Sequence, residues 1–278
     1  KRYKHYTMLA YNKIHQNIGG FLFYSLLLPK LVFYMEKILS YPLSILYTIV
    51  FFIWLLIFHP IQWVCFNLFG YNAHRISVAY LNLCLVRTAH LLGTTYHIKG
   101  MENVPENKPL IIVANHQSLH DITTIIWFLR KVHPKFISKV ELGKGIPSVS
   151  YNLRHGGSAL IDRKDPKQAL PEIKKVAELV NNNNYSVVIF PEGTRSKTGT
   201  PKPFAVNGLK MLYKFAPDAY FLPITINNSW KMTKFGQFPL GLGTRLEFTI
   251  HKPMKISEHP FEEIFEKTET IITKHIKK

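Results

Sequence analysis

The sequence predicts an α/β fold, a mixed, largely parallel sheet of about seven strands flanked by helices and preceded by a membrane-associated helical segment. Three observations predict it. Short β-branched runs alternate with helical patterns after residue 92, a charge-free apolar stretch lies before it, and two polar motifs follow directly on expected strands.

The expected strands are Thr94–Ile98, Leu110–Ala114, Lys135–Ser138, Ser158–Ile161, Tyr185–Phe190, Phe221–Ile226 and Arg245–Ile250. Helical spacing covers Ile122–Arg130, Gln168–Val180 and Leu209–Phe215. Helices placed between strands are what parallel pairing requires. Phe261–Ile276 reads as a closing amphipathic helix with Phe261, Ile264, Phe265, Thr268, Ile271 and Ile272 along one side. Asn181–Asn184 reads as a polar turn ahead of a strand.

The first 92 residues differ in kind, with one acidic residue, Glu36, against eight Lys and Arg. No Asp, Glu, Lys or Arg occurs from Ile38 to His74. The apolar run Leu43–Phe58, closed by His59-Pro60, spans about 24 Å as a helix, short of a ~30 Å hydrocarbon core. Phe21–Leu39 is apolar but interrupted by Pro29, Lys30, Glu36 and Lys37, and Ser40-Tyr41-Pro42 is expected to break the two segments apart. The segment either crosses the bilayer with help from its flanks or forms a hairpin in one leaflet. The short run, the prolines and the interspersed Tyr and Trp favour the hairpin. A buried helix of a soluble core is disfavoured because the apolar surface runs all round. A cleaved signal is disfavoured because no small-residue cleavage site follows. The chain therefore divides into a membrane-associated helical region, residues 1–92, and an α/β domain, residues 93–278.

Composition narrows the function classes. Apolar residues make up 47% of the chain, which excludes a disordered protein. The formal charge of +18 suits nucleic acid, an anionic membrane or an acidic substrate. The charge-free stretch favours a membrane and an anionic substrate over nucleic acid. Cys65 and Cys84 lie in apolar stretches without paired spacing, so they read as buried thiols rather than a disulfide or zinc site.

The first motif is Asn115-His116-Gln117-Ser118-Leu119-His120-Asp121, after the strand Leu110–Ala114 and before a helical pattern. Turns at strand C-termini are where open α/β sheets bind ligands. Ser118 followed by Asp121 is a helix-start pattern. A carboxylate in the first turn can fold back onto one imidazole nitrogen of His116, leaving the other to take a proton as a general base does. The alternative is a helix cap beside a polar loop histidine, and His120 is a rival base. The second motif is Phe190-Pro191-Glu192-Gly193-Thr194-Arg195-Ser196. Its Pro and Gly shape a tight loop, Arg195 offers a planar fork for phosphate, and Glu192 can position Arg195 or polarise a hydroxyl. An ordinary surface turn is the plainer reading. Lys139, Arg163 and Arg195 each follow or end an expected strand, so together they can converge on one anion.

These motifs, in this order, resemble the glycerolipid acyltransferase superfamily, and within it the lysophosphatidate acyltransferases. The likeness runs from about Thr94 to Pro253 and rests on Asn115-His116-(x4)-Asp121, Gly157-(x5)-Arg163, the FPEGTRS run and Leu222-Pro223-Ile224. It implies His116 as general base, oriented by Asp121. It implies an acceptor site at Glu192, Gly193, Thr194 and Arg195, with Arg163 and Lys139 near the phosphate and Pro223 shaping the donor site. The implied donor is acyl-CoA or acyl carrier protein and the implied acceptor a lysophospholipid. Membrane lipid is a further partner, with the catalytic domain on the cytoplasmic side, and neither cofactor, metal nor nucleic acid is expected. One departure stands out: Phe204-Ala-Val-Asn-Gly208 lacks the basic residue often found there. The acceptor therefore stays open between lysophosphatidate and, for example, a lyso-ornithine lipid. A non-catalytic basic membrane-binding protein and a hydrolase are the readings from other classes.

If residues 1–92 insert into lipid, salt will not release the protein. Each membrane-facing Lys or Arg adds about 1 kcal/mol of attraction that salt screens, whereas apolar burial is not screened. Concentrated salt should leave the protein in the membrane pellet and detergent should extract it; quantitative release by salt would leave only an electrostatic contact.

Overall fold

The computed structural model describes residues 28–277. All seven expected strands form: β1 (Thr95–Lys99), β2 (Leu110–Ala114), β3 (Pro134–Lys139), β4 (Ala159–Ile161), β5 (Ser186–Ile189), β6 (Tyr220–Asn227) and β7 (Arg245–Ile250). A two-residue β8 (Met254–Lys255) was too short for periodicity to signal. The order is β1-β7-β6-β2-β5-β3-β4, with β8 beside β6. β2 pairs in parallel with β5 and β6, β3 with β4 and β5, and β1 with β7. Only the pairings of β6 with β7 and β8 are antiparallel. The C-terminal ends of β2, β3, β4, β5 and β6 therefore share one edge of the sheet.

Helices cover both faces, which is why β2 can be apolar at every position and fully buried. On one face α4 (Pro166–Asn183), α5 (Val206–Phe215) and α6 (Phe261–Lys274) pack Ile173, Val176, Leu209, Leu212 and Ile264 onto Ile111, Val113 and Val187. The other face takes α2 (His120–Phe128) and part of the N-terminal helix against Leu110, Ile112 and Leu222. Each fully buried large aliphatic contributes about 1.5–3 kcal/mol of transfer free energy. Asp165 starts α4 by accepting from the N–H groups of Lys167 and Gln168 at 3.0 and 3.3 Å, with Pro166 in the first turn. The asparagine run is not a turn as expected: Asn181–Asn183 complete α4, and Asn184 caps it in the left-handed region, where its short amide side chain is tolerated. A short α3 (Val149–His155) was not foreseen, since seven residues carry too little periodicity.

The N-terminal helix α1 (Leu28–Thr88) corrects a second expectation. Ser40-Tyr41-Pro42 does not break it; Pro42 and Pro60 lie inside the helix, and the bend is at Gly70, with φ 79° and ψ −174°. The helix survives Pro42 because that region is tied to the sheet domain. Ser40 and Ser44 are buried, the Leu240 N–H donates to Ser44 Oγ at 2.8 Å, and Glu36 pairs with Lys234 at 2.5 Å. Residues beyond Gly70 fold back as a second arm, bringing Leu81 and Leu85 onto Leu55 and His74 to 5.5 Å from Phe66. The first arm's expected partner, Phe21–Leu39, is thus replaced by Tyr71–Thr88; its residues 21–27 lie outside the described residues. The helix is long and apolar enough to cross a membrane, and only 17% of its most apolar window is buried in the protein, unlike a core helix. Phe33, Ile38, Leu56, Leu68 and Phe69 are exposed. Cys65 and Cys84 are free thiols, half-buried rather than buried because they line this lightly covered hairpin.

Gly70 has backbone angles that cost a residue with a side chain about 1–3 kcal/mol, while a methyl group there would touch nothing within 4 Å. Gly70→Ala should therefore lower the unfolding temperature in detergent by several degrees through backbone conformation alone. An unchanged melting temperature would show that the bend is adaptable.

Candidate active site

The turn from β2 into α2 is organised by one carboxylate. Asp121 is fully buried in the first turn of α2. Its Oδ2 accepts from His116 Nδ1 at 2.9 Å, the Gln117 N–H at 2.7 Å and the Ser118 N–H at 2.9 Å. Its Oδ1 accepts from the Ser229 hydroxyl, which also bonds the Ser118 hydroxyl. Ser118 Oγ in turn accepts from the His120 N–H at 3.1 Å, so the helix-start pattern works in both directions. Burial alone would raise the Asp121 carboxyl; the His116 hydrogen bond and charge, with the Ser229 and Ser118 donors, outweigh it and hold the group below the usual carboxylate range.

His116 is fixed on three sides. Its ring stacks on Phe190 with centroids 4.1 Å apart, its N–H donates to Glu192 Oε1 at 2.8 Å, and its carbonyl accepts from the Ser196 N–H at 2.8 Å. With Nδ1 bonded to Asp121, Nε2 is the nitrogen left for other chemistry, on a side chain 13% exposed. The rival His120 points elsewhere: it is buried, 5.9 Å from the Tyr47 ring, and burial pushes it down to about 4. Asn115 braces the turn from behind, its amide bonding the Ile226 carbonyl and N–H at 2.8 and 2.7 Å.

The FPEGTRS loop, after β5, lies on the neighbouring strand end. Gly193 adopts φ 68°, closing a turn in which its N–H bonds the Phe190 carbonyl at 3.0 Å. Glu192 makes no hydrogen bond or salt bridge to Arg195 among the described residues. Its two oxygens accept from the N–H groups of His116 and Lys202, both at 2.8 Å, so the carboxylate joins two loops. Arg195 and Thr194 are exposed. Arg163, after β4, donates to the Gly193 carbonyl, and Lys139 ends β3 opposite Ile161. None of Lys139, Arg163 and Arg195 has a salt bridge among the described residues. Pro223 pairs one residue short of the end of β2. It is buried inside β6 opposite Val113, where β7 and β8 leave a gap between Ile224 and Phe221, so its missing N–H interrupts no ladder bond.

Residues 95–227 match the family described as Acyltransferase. That match spans 133 of the chain's 278 residues. It is similar to the chloroplastic 1-acyl-sn-glycerol-3-phosphate acyltransferase BAT2 of Brassica napus, 33% identical over 158 residues that cover 56% of this chain and 44% of that protein. A Cocos nucifera 1-acyl-sn-glycerol-3-phosphate acyltransferase is 39% identical over 41% of this chain and 36% of its own length. The stretch shared with each of these relatives is less than half of the relative's length. In fold the chain resembles the crystal structure of the 1-acyl-sn-glycerophosphate acyltransferase PlsC of Thermotoga maritima. That likeness has TM-score 0.69 and 24% identity, and covers 87% of this chain and 95% of that one.

Two features of the site escaped sequence reasoning. Ser229, 108 residues from Asp121, completes the carboxylate's enclosure, and nothing local marks it. An apolar groove of about 570 Å³ runs from Phe190 and Gly193 along Ile161, Leu170 and Met211, with Arg163 at its rim.

Ser229→Ala removes a donor to a buried charge and should cost about 1–3 kcal/mol at pH 7. The Asp121 carboxyl lies below its usual value of 3.8, so its contribution is present above that pH and is lost as pH falls through the lower folded value. The stability gap between wild type and Ser229→Ala should therefore narrow only below pH 3.8, as acid protonates Asp121, in denaturant unfolding. A gap that widens in acid would contradict this network.

Proposed function

We propose that the chain is an O-acyltransferase that moves a fatty acyl group from an acyl thioester, acyl-CoA or acyl carrier protein, to the free hydroxyl of lysophosphatidate. The observation that carries the reading is the His116–Asp121 pair at the shared strand edge, with Nε2 beside a loop whose arginine has no salt bridge among the described residues. His116 Nε2 takes the acceptor's hydroxyl proton as the oxygen attacks the thioester carbonyl. The tetrahedral intermediate collapses, the carbon–sulfur bond breaks, and the thiolate leaves with a proton returned from His116. Asp121 keeps Nδ1 protonated and supports the transient imidazolium.

Lys139, Arg163 and Arg195 would hold the acceptor phosphate, and Gly193 would allow its close approach. Glu192 serves by fixing the His116 backbone. The apolar groove beside Phe190 suits an acyl chain. The helical region holds the domain on the membrane, with the domain on the cytoplasmic face. The first arm's buried residues, Ser40, Ser44, Tyr47, Leu55 and Gln62, lie on one side over about 33 Å of helix. An arm seated on the domain over that length favours a hairpin submerged in one leaflet over a span.

His116→Ala should lower turnover by about 10²–10⁴-fold with little change in stability. Loss of activity in His120→Ala but not in His116→Ala would reassign the base. For the acceptor, purified protein with a fixed acyl thioester should use lysophosphatidate at least about 10²-fold more efficiently than monoacylglycerol, the least that two charge-assisted bonds imply. Preference for lyso-ornithine lipid would keep the mechanism and change the substrate; thiol release without acceptor would make it a hydrolase.

A further inference from the structure

At the opposite end of the sheet lies a basic cavity that the catalytic reading leaves unused. It is lined by Tyr71, Arg75, Arg130, His133 and Lys135, with Asn152 and Ser158 among the polar groups. Lys135 is the second residue of β3 and shares its register, through Val187, with Ile111. Three residues of strand separate Ile111 from the end of β2, so the cavity lies at least about 10 Å along the sheet from the His116 turn.

The cavity collects cations without counter-charges. Lys135 is 4% exposed, bonds the Tyr71 hydroxyl and lies 4.7 and 5.0 Å from the Tyr71 and Tyr185 ring centroids. Arg75 Nε and His133 Nδ1 are buried and make no hydrogen bond among the described residues. No Asp or Glu lines the cavity, none forms a salt bridge with Arg75, Arg130 or Lys135 among the described residues, and residues 1–27 contain neither. Folding has thus placed a buried ammonium, a half-buried guanidinium and a second guanidinium around one space, an arrangement that costs free energy unless an anion joins them. The cations also act on one another: burial, then Arg75, pushes Lys135 down to about 8. Ser158 Oγ accepts from the Phe136 N–H at 3.1 Å, so its proton is free to donate into the space.

We propose that this cavity is a second anion site, distinct from the catalytic edge, that binds a phosphate group through Arg75, Arg130 and Lys135. The phosphate belongs either to a lipid headgroup or to a free ion. Arg130 stacks over Trp127 at 4.0 Å, Trp127 meets the exposed Tyr80 at 6.5 Å, and aromatic residues of this kind favour the membrane–water interface.

The test uses full-length protein in neutral detergent, in an Arg195→Gln background to weaken phosphate binding at the catalytic edge. Inorganic phosphate is titrated by calorimetry against chloride at constant ionic strength. Saturable binding is expected, weakened at least about ten-fold by Lys135→Met and by Arg130→Gln. Arg130 is exposed, so Arg130→Gln decides the matter even if Lys135→Met fails to fold. Lys135→Met should also melt higher than its parent without phosphate and gain less when phosphate is added. Displacement of inorganic phosphate by a water-soluble short-chain phosphatidate assigns the site to a lipid headgroup, and failure to displace it assigns the site to the free ion. Binding that is absent, or unchanged in both variants, overturns the proposal.

Discussion

A carboxylate removed from water must find donors on every side, or the chain around it will not stay folded. Around Asp121 those donors come from three places: the imidazole of His116, the backbone of the turn it caps, and a serine after β6. This one charge therefore fixes the direction of α2, the tautomer of His116 and the position of the Ser229 segment. The neighbouring loop depends on it at one remove. Glu192 and Ser196 bond the His116 backbone, so the FPEGTRS loop is registered against a residue that Asp121 already holds.

The helical hairpin is seated on the same scaffold. Tyr47 packs toward His120, the first residue of α2, while Glu36 pairs with Lys234, shortly after Ser229. The first arm thus touches both sides of the Asp121 enclosure. On the proposed reading, the surface that meets lipid and the turn that carries the base are separated by little more than α2, and a lipid acceptor has no long aqueous path to cross. The outer apolar side chains of the arm, which the sheet domain leaves uncovered, are consistent with that placement.

How much of this was legible depended on how local the cause was. The strands were plain because β-branched runs between turn residues have few other uses, and the two motifs were plain because their residues act within one turn of each other. The role of Glu192 was not legible: a glutamate beside an arginine suggests an ion pair, and only the fold shows its oxygens accepting backbone N–H groups from two loops. Ser229 was invisible because its partner lies 108 residues away in sequence, after the neighbouring strand β2. Pro223 carried a family motif, and its strand tolerates it because β7 and β8 leave its position unpaired. The hairpin bend was misplaced because proline was weighed by its missing donor. Contacts to the domain hold Pro42 in a helix, and Gly70 alone has the freedom to turn the chain.

Lys139 ends one strand, Arg163 and Arg195 stand on loops after two others, and none of them bonds Asp121 or His116. The parts that would perform the chemistry and the parts that would choose the partner are therefore separable in the chain. A substitution at any of the three cations leaves the enclosed carboxylate untouched, so on the proposed reading descendants of such a scaffold would exchange one head group for another by single steps without passing through an unfolded or inert ancestor.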